Sequence, residues 1–352
     1  MTYIVVDVGG TNLRVGVYDS ERPADSALTQ VKRVKVQSLE VTNDTGENLY
    51  RQFLDQLQEC LEPYLRQYPD TPVGISFPGP VTPEGIVTAA PTLWGDELHN
   101  IPLLQDCRKL LERDVVVLND ITAAVWRYAD IMSEDFCLYT ISSGVGNKVF
   151  RQGEVLLNER GMGGELGHCQ VAFDEYALPC DCGGSGHLGA VASGRGMVQL
   201  TRFMASLDPK GFKKCRLHEL CLGKPEYINT HKLVAALLQG DEFCTEVMKK
   251  SQRYLVTTMS NLYHAIGIKR FVFIGGFSVA LGDVYLRSLQ SIVAEFQWFG
   301  LDKEELPKLC RMGYKDDDHS LIGMGRYLQQ YHKSEREFID RIALGEEERV
   351  HE

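Results

Sequence analysis

The chain has 352 residues, of which 44% are hydrophobic and 24% charged, and this size predicts a globular protein with two domains. Its formal net charge of -11 argues against a nucleic-acid partner, because phosphate backbones are bound by a surplus of Lys and Arg. No apolar run approaches a membrane span, no signal peptide precedes the first predicted strand, and most of the ten cysteines stand alone, so we expect a cytoplasmic protein with reduced thiols.

In chain order, the hydrophobic pattern predicts two series of alternating strands and helices. The first series has helices from about residue 47 to 68 and after Pro102, and strands at 3–8, 13–18, 31–36, 73–77 and 115–118. The second has a Gly- and Cys-rich loop, several helices, and strands at 136–141, 148–151, 154–157 and 270–274. Two strand-rich openings of this kind predict two α/β domains of similar plan with a cleft between them. The charged tail 332–352 predicts a solvated helix or a frayed end.

The first two predicted strands are joined by a turn rich in glycine, Gly9-Gly10-Thr11-Asn12, which follows Asp7 closely. Glycine lets backbone N–H groups approach an anion, because it has no side chain to block them and can adopt positive φ. Asp7 could hold a metal-bound water beside the same phosphates. The spacing is neither a Walker loop nor a Rossmann fingerprint, and a tight hairpin with Asp7 as a turn residue is the alternative.

Two polar residues, Asn119 and Asp120, follow the buried strand 115–118 and precede a predicted helix. Sites in α/β proteins gather at such strand ends. Asp120 could be a general base that orients an attacking hydroxyl for phosphoryl transfer, with Asn119 as a hydrogen-bond partner of the substrate. The alternative is that Asp120 only caps the helix by accepting its free N–H groups.

Two more glycine-rich turns follow strands of the second series. Ser143 and Gly144 could form a second phosphate cradle, with hydroxyl and N–H groups as donors. The late strand ends in Gly275-Gly276, where a flat ring could lie against bare backbone. Hairpins and strand-to-helix turns use the same residues, so each turn alone is a weak signal.

The most specific group of residues is His168, Cys180, Cys182 and His187, which lie within twenty residues of one another in a glycine-rich segment. Four such ligands are the number that a closed, structural zinc site requires. The alternative is a flexible loop with surface thiols, which the tight Cys-x-Cys spacing disfavours.

The order of these motifs resembles the ROK family of ATP-dependent sugar kinases, in the actin and hexokinase superfamily. The resemblance covers residue 3 to about residue 328, including a closing segment at 315–323, and rests on Asp-x-Gly-Gly-Thr, Asn-Asp, Ser-Gly-x-Gly, Gly-Glu-x-Gly-His, Cys-x-Cys-Gly-x-x-Gly and a late Gly-Gly. It implies an α/β fold of two RNase H-like, actin/hexokinase-type domains around an interdomain cleft. We expect an N-terminal domain of residues 1–120, onto which the tail 316–352 packs back, and a larger C-terminal domain of residues 121–315 with a zinc-binding loop at 163–190.

The resemblance also implies roles for particular residues. Asp120 would be the catalytic base, and the substrate-binding residues would be Gly79, Thr92, Asn119, Asp120, Glu165 and His168. ATP phosphates and Mg²⁺ would be bound by Asp7, Gly9, Gly10, Thr11, Asn12, Ser143 and Gly144, and the adenosine by Gly275 and Gly276. A structural Zn²⁺ on His168, Cys180, Cys182 and His187 would frame the sugar. The partner would be a small sugar or cyclitol, and we also expect a homodimer.

The sequence departs from the family at the predicted sugar-binding wall. His187 replaces the family's third loop cysteine, and Gly189 stands where the family usually has a sugar-binding glutamate. Thr92 stands where a sugar-contacting asparagine is usual. These changes remove hydrogen bonds to the sugar but keep Asp120, so we expect retained chemistry on an altered substrate. A C7-cyclitol is favoured, because it lacks the anomeric centre that the missing glutamate would help to recognise.

Other functions stay open at this point. A glucokinase or an N-acetylhexosamine kinase would use the same motifs. A non-catalytic sugar-binding protein on the same fold would explain Gly189 and Thr92 as decay, but it predicts the loss of Asp120 first. Sugar-responsive repressors of the family carry an N-terminal helix-turn-helix, whereas here the phosphate turn begins at once.

Overall fold

A computed structural model describes residues 1–39, 42 and 44–343 of the chain. The chain divides into two compact units. Of the described residues, the first contains Met1–Ile131, Leu157–Met162 and 318–343, and the second contains Met132–Leu156 and Gly163–Asp317. Among the residues that the structure describes, no helix combines the length and the hydropathy that crossing a membrane requires.

The strands of the described residues are, in chain order, β1 Thr2–Val8, β2 Asn12–Asp19, β3 Leu28–Lys35, β4 Val73–Phe77, β5 Val87–Ala90, β6 Gly95–Ile101, β7 Val115–Asn119, β8 Phe136–Ile141, β9 Val145–Arg151, β10 Glu154–Val155, β11 Phe271–Ile274 and β12 Cys310–Met312. The α-helices are α1 Gly46–Gln67, α2 Pro91–Trp94, α3 Leu103–Leu111, α4 Asp120–Ala129, α5 Leu188–Ala192, α6 Gly194–Leu207, α7 Pro209–Lys214, α8 Arg216–Leu220, α9 Thr230–Leu238, α10 Glu242–Ile266, α11 Gly276–Leu281, α12 Asp283–Glu295 and α13 His319–Ala343. Short 3-10 turns include Leu166–His168 and Lys303–Lys308.

Each unit is built on one five-stranded mixed sheet. The sheet of the first unit has the order β3-β2-β1-β4-β7. Strands β1, β4 and β7 are parallel, and β2 pairs antiparallel with both β1 and β3. The sheet of the second unit has the order β10-β9-β8-β11-β12. Strands β8, β11 and β12 are parallel, and β9 pairs antiparallel with both β8 and β10. The predicted α/β fold with two sheets of similar plan is therefore confirmed. In each unit the carboxyl ends of three parallel strands meet at one edge, which is where sites form in such sheets.

The helices of the first unit pack through apolar and glycine positions. Helix α1 has Thr45 as its N-cap and buries Leu49, Phe53, Leu57 and Leu61 at four-residue spacing, which is the pattern of an amphipathic helix. Helix α4 packs against α13 within the same unit. At Gly323 a Cβ atom would lie 1.8 Å from the Ala123 carbonyl oxygen, so glycine is required for the two helices to approach this closely.

Most predicted elements are present, and the differences have local causes. Strands 73–77 and 136–141 have the predicted bounds, whereas β10 ends at Val155 because the chain passes into the first unit at Leu157. The first unit continues through α4 to Ile131, past the predicted boundary at residue 120, since α4 packs on α13. The predicted tail begins inside helix α13, and residues 344–352 lie outside the described residues.

Candidate active site and metal-binding loop

Asp7 lies within strand β1 and is not a turn residue. Its carboxylate accepts hydrogen bonds from the Arg14 guanidinium at 2.8 and 3.1 Å and from the Ser76 hydroxyl at 2.7 Å. Arg14 is buried and also donates to Asp318 at 3.1 Å. Asp7 lies opposite Ser76 because β1 and β4 pair in parallel, so the strand register itself assembles this group. A carboxylate offers about four lone-pair positions, which leaves capacity for a bound water.

The turn after β1 is a hairpin, as the alternative interpretation predicts, and its glycines differ from the expectation in one respect. The Gly9 N–H donates to the Asn12 carbonyl at 2.8 Å, so that N–H is used inside the turn. Neither Gly9 nor Gly10 adopts positive φ. A Cβ at Gly10 would meet only the Thr92 side chain, at 4.0 Å. Glycine at this position therefore leaves open space beside the backbone, and Thr92 lies next to the turn.

Asn119 fixes the conformation of the strand end that carries Asp120. Its side-chain oxygen caps helix α4 by accepting from the N–H groups of Ile121 and Thr122, each at 3.1 Å. Its amide group donates to the Gly79 carbonyl and to Asp120 Oδ1, each at 2.9 Å. Since an amide has two N–H donors, both are used within the protein.

Asp120 is half-buried at the start of α4, and its Oδ1 also accepts from the Ile121 N–H at 2.8 Å. The Ser320 hydroxyl on α13 donates to the Asp120 backbone carbonyl at 3.2 Å. Asn119 is thus the principal cap of the helix, and the Asp120 carboxylate is held by its neighbours in one orientation. This arrangement suits a general base, which needs a fixed position more than it needs flexibility.

In the second unit, the two glycine-rich turns lie side by side at the carboxyl ends of β8 and β11. These strands pair in parallel, with Ile274 opposite Thr140. Gly275 has a φ of +98°, and a Cβ there would lie 2.7 Å from the Ile141 backbone, so only glycine fits. Gly144 in the turn after β8 has open space where a side chain would be. The strand pairing therefore brings together the residues predicted to bind ATP phosphate and adenosine in this unit.

Arg195 connects the turn after β8 to the loop that carries Cys180 and Cys182. It donates through Nε to the Ser143 carbonyl at 3.1 Å and forms an ion pair with Asp181 at 2.6 Å. A cavity of about 160 Å³ lies in the same region, and its lining includes Gly144, His168 and Gly189. Gly189 does not have positive φ, so its backbone does not require glycine. A Cβ there would nevertheless lie 3.2 Å from the Gly167 carbonyl oxygen, which is a tight contact, so the missing side chain lets these two backbone segments lie close together.

The ligand atoms of His168, Cys180, Cys182 and His187 all lie within 4.8 Å of one another. Bond lengths of about 2.0 to 2.3 Å for Zn–N and Zn–S place the ligand atoms of a tetrahedral site about 3.3 to 3.8 Å apart, so a small contraction would close the site. Two thiols and two imidazoles are a typical donor set for Zn²⁺. The residues present therefore fit the metal.

Backbone hydrogen bonds order the loop around these ligands. The Cys180 N–H donates to the Gly184 carbonyl at 2.8 Å, and a Cβ at Gly184 would lie 2.4 Å from the His187 ring. The Gly184 N–H, with the side chains of Cys180 and His168, lowers the pKa of the Cys182 thiol to about 6. A thiolate at neutral pH is the form that binds a metal.

Several residues that the sequence analysis missed contribute to these sites. Arg14 and Ser76 contact Asp7, and Asp318 contacts Arg14 in turn. Lys148 lies beside Glu165 with its Nζ 3.5 Å from Oε1. Ser76 could have been found from the sequence, because it is the polar residue near the end of the apolar strand 73–77. Lys148 carries no such signal, because its burial depends on the loop that packs over it.

The chain matches the ROK family over residues 3–330. It is 41% identical over 327 residues to a C(7)-cyclitol 7-kinase of Streptomyces hygroscopicus subsp. limoneus, covering 92% of each chain. It is 27% identical to a glucokinase of Thermotoga maritima, covering 83% of this chain and 87% of that one. Its fold is similar to the crystal structure of a ROK family glucokinase from Streptomyces griseus in complex with glucose and AMPPNP, with a TM-score of 0.69 at 22% identity, over 94% of this chain and 100% of the other.

The chain has the α/β fold of the actin/hexokinase type. The chain belongs to the ROK family. Both the family predicted from the ordered motifs and the predicted fold class are therefore confirmed.

Proposed function

We propose that this protein is an ATP-dependent kinase that transfers the γ-phosphoryl group of ATP to a hydroxyl of a C7-cyclitol, at the position that the relative's name gives as 7. The predicted enzyme class, an ATP-dependent kinase for a sugar or a cyclitol, is confirmed by the family and by its kinase relatives. The observation that carries the choice of substrate is the 41% identity to a C(7)-cyclitol 7-kinase, compared with 27% to a glucokinase.

Asp120 is proposed as the general base. Its carboxylate would accept the proton of the acceptor hydroxyl while that oxygen attacks the γ-phosphorus and ADP leaves. The bonds from Asn119 and Ile121 support this role, because they hold the carboxylate at the carboxyl end of β7. Glu165 is proposed to accept hydrogen bonds from hydroxyls of the acceptor. Asn119 is proposed to orient Asp120, since both of its amide donors are used internally.

ATP binding is proposed at the glycine-rich turns, with phosphates on Gly9-Gly10-Thr11 and Ser143-Gly144 and the adenosine on Gly275-Gly276. The open space at Gly10 and Gly144 supports close approach of phosphate to backbone. Mg²⁺ would be held through water by Asp7 and would neutralise phosphate charge. A structural Zn²⁺ is proposed on His168, Cys180, Cys182 and His187, whose arrangement fits it.

We also propose a cytoplasmic location and a homodimer. None of the ten cysteines, all of them within the described residues, forms a disulfide, and six of them are buried, which supports a reducing compartment. The homodimer is a prediction that light scattering of the purified protein would check.

The test is an assay of ADP release with ATP and a panel of C7-cyclitols, hexoses and N-acetylhexosamines, with the phosphorylated position assigned by NMR. We expect the highest kcat/KM for a C7-cyclitol, phosphorylated at its 7-hydroxyl. A higher kcat/KM for glucose or an N-acetylhexosamine would contradict the proposed substrate and identify that sugar as the acceptor instead. Absence of any phosphorylated acceptor would instead favour the non-catalytic sugar-binding protein.

A further inference from the structure

Strand β9 of the second unit contains a buried lysine. Lys148 is 4% exposed, although lysine is almost never fully buried without a partner. Burial of an ammonium group costs a large desolvation free energy that only hydrogen bonds and an opposite charge offset. A lysine in this position therefore implies a specific partner.

The partners of Lys148 lie on the loop that carries Glu165. Lys148 Nζ donates a short hydrogen bond to the Gly163 carbonyl and lies 3.5 Å from Glu165 Oε1. The Glu165 side chain is 50% exposed, so the ammonium is enclosed by protein while the carboxylate faces outward. This geometry leaves part of the carboxylate available to a ligand.

Contacts of Asn147 and Gly164 hold the Glu165 loop against Lys148. The adjacent Asn147 is buried and accepts from the Leu166 N–H at 3.0 Å, which fixes the backbone just after Glu165. Gly164 has a φ of +69°, and a Cβ there would lie 2.9 Å from Lys148 Cδ. The loop therefore packs directly on the lysine stem, and residues on both sides of Glu165 are held by β9.

We propose that Lys148 is a positioning and specificity-determining residue for the acceptor. It holds the Glu165 carboxylate in one orientation, so that two oxygens are presented to neighbouring hydroxyls of a polyol. Its charge also balances that of Glu165, which favours a neutral polyol over a protonated amino sugar. This inference rests on the proposed function, because Glu165 is taken there to bind the acceptor.

The test is a double-mutant cycle that combines Lys148→Met with Glu165→Gln in the full chain. Methionine retains the length of the apolar stem, and zinc content and Tm report whether the loop is intact. We expect Lys148→Met to raise KM for the acceptor about tenfold while KM for ATP changes less than about twofold. In the Glu165→Gln background the same substitution should change acceptor KM by less than about twofold, because its partner charge is already absent.

A second variant separates charge from packing. Lys148→Gln can still donate to the Gly163 carbonyl, so it should fold, but acceptor KM should again rise about tenfold. Wild-type KM in this variant would overturn the proposal, as would equal effects of Lys148→Met with and without Glu165→Gln. The cycle uses whichever acceptor the wild type phosphorylates best. Failure of the coupling with an active wild type therefore refutes Lys148 alone, whereas absence of phosphorylation of every acceptor refutes the proposed function.

Discussion

The clearest structural prediction concerns Asn119, whose side chain caps α4 and also orients Asp120. Replacing it by alanine removes the cap, which is worth about 1 kcal/mol, and the hydrogen bond to the Gly79 carbonyl, worth about 1 kcal/mol more. The free energy of unfolding should therefore fall by about 2 kcal/mol. The bond to the Asp120 carboxylate is charge-assisted and worth about 1.5–3 kcal/mol, so kcat should fall roughly 10- to 100-fold.

Asn119→Ser is the matched control, because serine is a comparable N-cap but has no amide donor at this distance. It should recover about half of the lost unfolding free energy, namely the ~1 kcal/mol of the cap, measured by urea denaturation, and yet retain the defect in kcat. Acceptor KM should stay near the wild-type value in both variants. A raised acceptor KM with normal kcat would show that Asn119 binds substrate directly, as the family resemblance implies, and would refute the positioning role.

Asp120→Asn should lower turnover by at least about 100-fold, while ATP and acceptor binding, measured by calorimetry, stay near wild type. Near-normal turnover would mean that Asp120 only caps the helix and is not the general base. The purified protein should contain close to one zinc per chain, and Cys182→Ser should lose both metal and thermal stability. The pKa of the Cys182 thiol is lowered from 9 to about 6. The stability that its thiolate contributes is therefore fully present above pH 9 and is lost as the pH falls through 6. In metal-free protein, the rate of Cys182 alkylation should be half-maximal near pH 6 and not near 9. Gly189→Glu combined with Thr92→Asn should raise kcat/KM for glucose relative to the cyclitol, with zinc content as the control; an unchanged ratio would mean that other residues select the substrate.

Much of the fold follows from the hydrophobic pattern, and so do the residues at strand ends. Strand β4 is an apolar run broken only by Ser76, because it is buried on both faces, and its bounds were predicted correctly. The small sheet of β5 and β6 was missed, since β6 carries exposed polar residues and β5 leads straight into Pro91. Their pairing is set by tertiary contacts that no local pattern reveals.

The candidate site shows the same limit. The motifs identified Asp7 and Asn119, but their hydrogen-bond partners Ser76 and Gly79 come from other segments and depend on strand register. The pairing of Asp7 with Arg14, seven residues later, follows from the hairpin register, whereas Ser76 and Asp318 are distant in sequence. Spacing alone predicts which residues carry chemistry, but not which of their atoms remain available to a ligand.

The most direct test of the account is a competition experiment in which wild-type protein receives ATP with equal concentrations of a C7-cyclitol and glucose. Mass spectrometry of the phosphorylated products gives the ratio of the two kcat/KM values from one reaction. We predict that the cyclitol phosphate exceeds glucose phosphate by at least about tenfold, which corresponds to about 1.4 kcal/mol of discrimination. An excess of glucose phosphate would contradict the proposed substrate and the interpretation of Gly189 and Thr92 on which it partly rests.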